Sequence, residues 1–169
     1  LCFFIAQQLL AQGSVTAPTT TNNQPINAIP LGGNTFFNNF GARGIGLSVQ
    51  GIQNWTDAAV TPTVYVRILK KGTYTLNLVA KAAQKSTLNV GMQSKNVKVE
   101  VNSTDWKKYP LGSFTLEAGY LPIVLKGLLR TGAKFADIQS IEIQGDPANI
   151  KFVDASLTGS AKDSYYFGR

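Results

Sequence analysis

The sequence contains no histidine. That absence removes serine and cysteine hydrolase triads, histidine-ligated zinc and imidazole acid–base chemistry from what this chain does with its own side chains. Cysteine is nearly absent as well: Cys2 is the only one, so no disulfide within the chain supports the fold and the core must do so alone. Charge is sparse, at 15% of residues, and no basic run is longer than two. No helix-turn-helix, zinc-finger or RNA-binding aromatic signature accompanies it, so nucleic acid is not expected as a partner. The acids are few and dispersed, with Asp57, Asp105, Asp137 and Asp154 on separate segments. That spacing offers neither a calcium loop nor a visible carboxylate pair for glycoside hydrolysis, so the expectation is no metal, no cofactor and no catalysis.

Helical periodicity of useful length is missing too, and what the chain has instead is alternation. Tyr74, Leu76, Leu78 and Ala80 fall on one face of an extended run, while Thr73, Thr75, Asn77 and Lys81 fall on the other; only Val79 is out of phase. Similar short runs cover 28–31, 44–49, 63–69, 87–92, 96–101, 108–116, 120–126, 138–144 and 150–153. Turn residues such as Gly32-Gly33-Asn34, Lys70-Lys71-Gly72 and Glu117-Ala118-Gly119 separate them. Such spacing predicts an all-β protein, an antiparallel two-sheet β-sandwich of jelly-roll type. The 63–69 and 73–82 runs read as a hairpin closed by Lys70-Lys71-Gly72, and Pro122 predicts an edge or bulged position in its strand.

Outside this region the composition changes. Residues 1–12 are apolar, uncharged and too short to span a bilayer, as in the end of a secretory leader; a buried N-terminal helix is the alternative. Residues 13–27 form an uncharged Ser/Thr/Pro/Asn-rich spacer. The expected organisation is therefore a leader remnant at 1–12, a spacer at 13–27 and a sandwich domain at 28–155, followed at 156–169 by a linker or the start of a further domain. Aromatic Tyr165, Tyr166 and Phe167 at the end of the chain suggest that further domain. A secreted, periplasmic or cell-surface location follows from the leader, without membrane insertion.

Six segments carry a family resemblance: Ile29 to Phe36 with its Gly-Gly-Asn-Thr, Gly51 to Asp57 with its Asn-Trp-Thr-Asp, Val64-Tyr65-Val66, Gly72-Thr-Tyr74, Gly112 to Thr115 and Gly119-Tyr120. Together they resemble a bacterial domain of unknown function, number 5077, over about Ala28 to Arg169. More remotely, the Gly-x-Tyr-x-Leu strand and the loop from Gly132 to Ile138 are similar to jelly-roll carbohydrate-binding modules of families six and thirty-five. In those modules an aromatic and an amide on the late loop meet sugar; Ala136 stands here where the amide is expected. The resemblance implies the galactose-binding-domain-like sandwich and a glycan ligand, and it places Phe135, with Lys134 and Asp137, in a candidate site.

Sugars are held by flat aromatic faces against their C–H surfaces and by amides, carboxylates and cations at their hydroxyls. Trp55, flanked by Asn54, Thr56 and Asp57 in a polar loop ending at Pro62, has that composition. The other reading makes Trp55 a plug at one end of the sandwich. Phe36, beside Asn34, Phe37, Asn38 and Asn39, is a second candidate, with at least one of the two phenylalanines expected in the core. Trp106 and Tyr109, bracketing Lys107 and Lys108, form a third cluster whose lysine stems also suit a simple sheet edge. The net charge of +7 favours acidic polysaccharide among ligands. Two functions are thus expected: a non-catalytic module that binds a polysaccharide or oligosaccharide and tethers or supports a following domain, or a structural sandwich that packs on that domain and has no ligand of its own.

Overall fold

The computed structural model of the chain describes residues 24–38 and 44–154. The expected leader, most of the spacer, Asn39 and the 156–169 segment lie outside the described residues. Among the described residues twelve strands run β1 (Ile26–Pro30), β2 (Thr35–Phe37), β3 (Gly46–Ser48), β4 (Gly51–Gln53), β5 (Pro62–Ile68), β6 (Gly72–Lys81), β7 (Ser86–Met92), β8 (Lys95–Val101), β9 (Lys107–Leu116), β10 (Gly119–Arg130), β11 (Asp137–Gln144) and β12 (Ile150–Lys151). The only helical turn among the described residues is a 3-10 turn at Pro147–Asn149, capped by the Asp146 side chain. The spacer gives way two residues early, since Ile26 and Asn27 are already in β1. Asn27 donates from Nδ2 to the carbonyls of Ile143 and Gly145, which fixes that start.

All pairings are antiparallel. The first sheet has the order β3-β4-β11-β6-β9, with β1 also alongside β11; the second has β12-β5-β10-β7-β8, with β2 also alongside β5. Period-two alternation sends Tyr74, Leu76, Leu78 and Ala80 of β6 and Ile141 and Ile143 of β11 inward. There they meet Val64, Val66 and Ile68 of β5 and Leu121, Ile123 and Leu125 of β10, all buried in one core. The protein is an all-β, two-sheet antiparallel sandwich.

The expected hairpin between the 63–69 and 73–82 runs does not form. β5 belongs to the second sheet and β6 to the first, so Lys70 and Lys71 carry the chain across the sandwich. Alternating apolar residues fix which face of a strand is buried but not which strand lies beside it. Here the inward faces of β5 and β6 are buried against each other's sheets, and the Tyr74 hydroxyl donates to the Lys70 carbonyl at 2.7 Å to hold the crossing. β10 is not an edge strand, since it lies between β5 and β7, but Pro122 itself pairs only with Tyr65 of β5, a local edge position as expected. Pairing with β7 begins only at Ile123, so the proline removes no bond from that ladder. The irregularity in β10 falls at Gly127/Leu129 instead.

Three strands, β2, β3 and β4, have three residues each and are too short for alternation to show. β4 starts at Gly51, whose φ of 104° lies in the glycine-favoured region and where a Cβ would run into the Ile138 carbonyl. Only glycine lets β4 lie this close to β11.

Candidate functional site

The loop after β4 is built to turn Trp55 inward. Asn54 adopts a positive φ of 53°, and the following indole is completely buried. Its Nε1–H donates to the Asp57 carbonyl at 2.8 Å. Phe135 is buried against it, with ring centroids 5.2 Å apart and planes 48° inclined, and the Phe135 N–H donates to the Trp55 carbonyl at 2.7 Å. The Arg130 guanidinium lies 5.1 Å from the Phe135 ring centre, and a Cβ at Gly127 would strike that ring.

Trp55 and Phe135 are therefore packed against each other in the core rather than on a binding surface. An indole with every face in van der Waals contact has none left for a sugar, so neither residue is a stacking platform or a wall. Asn54 and Asp57 are exposed beside them, with Asp57 Oδ1 accepting from the Ala59 N–H. Lys134 and Asp137 bond to each other at 3.2 Å across the late loop.

Asn34 is not part of this cluster. It is fully buried, donates from Nδ2 to the carbonyls of Pro30 and Val153 and accepts the Val153 N–H on Oδ1, each at 2.8 Å. These bonds tie the β1–β2 connection to the end of the described chain and leave its amide no capacity for a sugar. Phe36 lies on the outer face of the second sheet, edge-on to Tyr65 at 5.6 Å, and both Phe36 and Phe37 are half-buried rather than in the core.

A different surface combines the chemistry expected of the loops. The outer face of the first sheet carries a groove of about 560 Å3 lined by Pro30, Val79, Lys108, Ser140, Glu142 and Phe152, among others. Register aligns Lys108 with Val79, Val79 with Ser140 and Ser140 with Pro30, and places Asn77, Glu142 and Ala28 in the next outward row. Lys108 Nζ bonds Glu142 Oε1 at 2.9 Å. The Glu142 side chain is only 9% exposed, and its other oxygen, Oε2, has no hydrogen-bond partner. At one end of this face Trp106 is 37% exposed, with Lys81 Nζ 4.7 Å from its ring centre. Two signals of this groove stood in the sequence: Val79, an apolar residue on the polar face of its strand, and Lys108 in the cluster bracketed by Trp106 and Tyr109. Glu142, inside an ordinary alternating strand, gave none.

Among the described residues no cluster of three acidic, cysteine or histidine side chains is arranged to hold a metal ion. No helix among them is long and apolar enough to cross a membrane.

No curated protein matches the chain. Solved structures with this fold include the GH26-CBM35 β-(1,4)-mannanase of Podospora anserina, at 14% identity and a TM-score of 0.52, where the likeness covers 70% of this chain and 27% of that one. A family 35 carbohydrate-binding module from Clostridium thermocellum is similar at 11% identity over 72% of this chain and 98% of its own, with a TM-score of 0.52. The C-terminal CBM6 of a marine laminarinase from Zobellia galactanivorans matches at 9% identity over 71% and 99%, again with a TM-score of 0.52. At these identities the likeness is one of fold: the sandwich is that of carbohydrate-binding modules. Residues 29–148 match the sequence family described as Domain of unknown function (DUF5077), and this chain belongs to that family.

Proposed function

We propose that this chain is a non-catalytic glycan-binding module of an exported protein, and that the groove on the outer face of its first sheet holds the sugar. The observation that carries the reading is the unpartnered Glu142 Oε2 at that groove. A buried carboxylate oxygen without a donor costs about 1–3 kcal/mol or more, and a sugar hydroxyl that reaches it as the exposed Lys108 side chain moves aside is the donor it lacks. Val79, Pro30 and Phe152 supply the apolar surface that C–H faces of a pyranose need, while Ser140 and the Lys108 ammonium supply further polar contacts. The likeness to carbohydrate-binding modules supports the same ligand class, and tethering of a following domain is the role such a module would serve.

Ala28 tests this directly, because it is exposed on β1 opposite Glu142. Ala28→Arg places a long side chain across the groove without touching the core. Affinity gels loaded with mannan, laminarin or xylan are expected to retard the wild-type chain and not this variant, with equal melting temperatures. Absence of retardation by every glycan favours the second reading, a structural sandwich, for which the burial of Trp55 speaks.

A further inference from the structure

The basic residues that look scattered along the sequence are sorted by the fold. In the six strands of the second sheet, Arg67, Lys95, Lys98, Lys126, Arg130 and Lys151 stand against a single acid, Glu100. That acid is already held by Lys85 at 2.9 Å. The strands of the first sheet carry three basic residues, Lys81, Lys107 and Lys108, against two acids, Asp137 and Glu142. Most of the chain's excess of +7 therefore resides in one sheet.

The outer face of that sheet is also shaped. Register aligns Lys126 with Asn89 and Asn89 with Lys98, and in the neighbouring row Val124 with Gly91 and Gly91 with Asn96. The missing side chain at Gly91 leaves a hollow of about 250 Å3 between the Pro122–Val124 wall and the two amides. Asn89 Nδ2 donates to Asn96 Oδ1 at 2.9 Å, which orients both amides and leaves Asn89 Oδ1 and Asn96 Nδ2 for a ligand. Beyond the hollow, Tyr120 is 49% exposed with the Arg67 guanidinium 5.5 Å from its ring centre.

We infer that this face is a second binding surface, distinct from the groove on the first sheet, and that it takes an acidic polysaccharide bearing carboxylate or sulfate groups. Pro122 and Val124 cover the C–H side of one sugar ring in the hollow, Asn89 and Asn96 bond its hydroxyls, and Lys126 and Lys98 neutralise its anionic group. Charge repeating along the polymer then meets Arg67 and Lys151, which are aligned in register further along the face. A bare polyanion site would need only the cations; the apolar wall and the oriented amide pair beside them select a sugar. The inference shares its ligand class with the function proposed above but does not depend on the groove.

The test uses the 169-residue chain in affinity gels containing polygalacturonate, heparin or neutral mannan, at 150 mM salt so that diffuse attraction is largely screened. Lys126→Glu is compared with Lys107→Glu, which changes net charge equally but lies on β9 of the first sheet. Retardation by polygalacturonate, heparin or both is expected for the wild type, weakened about tenfold or more by Lys126→Glu and unchanged by Lys107→Glu and by Ala28→Arg. A response to one polymer alone assigns the anionic group. Equal weakening by Lys126→Glu and Lys107→Glu, competition by duplex DNA as strong as by the polysaccharide, or no retardation by either acidic gel would overturn the assignment. Loss of mannan binding in Ala28→Arg with acidic retardation intact, or the reverse, separates failure of one surface from failure of the other.

Discussion

Replacing Trp55 by alanine removes the largest fully buried side chain of the sandwich. Truncating a buried aromatic costs about 3–5 kcal/mol through lost transfer energy and the cavity left behind. The upper part of that range applies here, because the indole also contributes its bond to the Asp57 carbonyl, worth about 1 kcal/mol, and its contact with the Phe135 ring, worth about 0.5–1.5 kcal/mol. For a domain of this size, 1 kcal/mol corresponds to about 3 °C in Tm, so a fall of about 12–15 °C is expected. Thermal melting followed by far-ultraviolet circular dichroism reads it, and a double-mutant cycle with Phe135→Ala isolates the ring contact. Glycan retention, measured well below the variant's Tm, should be unchanged because the indole does not reach the surface. A Tm within 3 °C of wild type together with lost retention would refute this reasoning and return Trp55 to the role of a sugar platform.

Three further outcomes follow from individual contacts. Asn34→Ala leaves the Pro30 and Val153 carbonyls and the Val153 N–H without their buried partner, for an expected loss of about 3 kcal/mol in urea unfolding; a loss below 1 kcal/mol would contradict the assigned network. Burial, with a smaller contribution from the nearby Asp146 carboxylate, raises the pKa of the Tyr74 phenol above its ordinary value of 10.0. The folded state thus holds that proton more tightly than the unfolded one. Its contribution is complete below about pH 10 and is lost as pH rises through the raised folded value, so Tyr74→Phe should flatten the alkaline limb of the stability profile relative to wild type. Gly51→Ala is expected to destabilise by more than 1 kcal/mol, since it combines a positive φ with a collision against the Ile138 carbonyl; an unchanged Tm would show that β4 is free to move away from β11.

Alternation in the sequence determined the strands and their inward faces. Leu76 and Leu78 are buried where the pattern puts them because burying apolar surface is local to a strand's two sides and needs no knowledge of its neighbours. Partner choice is not local. The same pattern in β5 and β6 is satisfied by a hairpin or by a crossing between sheets, and only the closure of a common core selected the crossing. Trp55 shows the same division. Its polar neighbours in the sequence fit an exposed aromatic loop, yet the left-handed turn at Asn54 and the arrival of Phe135 from 80 residues later in the chain decided that the ring would be interior. Val79 was legible as an exception to its strand but not as the floor of a groove, because Lys108 and Glu142 reach it from two other strands. Charge went furthest from its linear appearance. The sequence determined the excess of +7; the assignment of each strand to a sheet, which depends on contacts distant in sequence, decided that most of it would reside in one sheet.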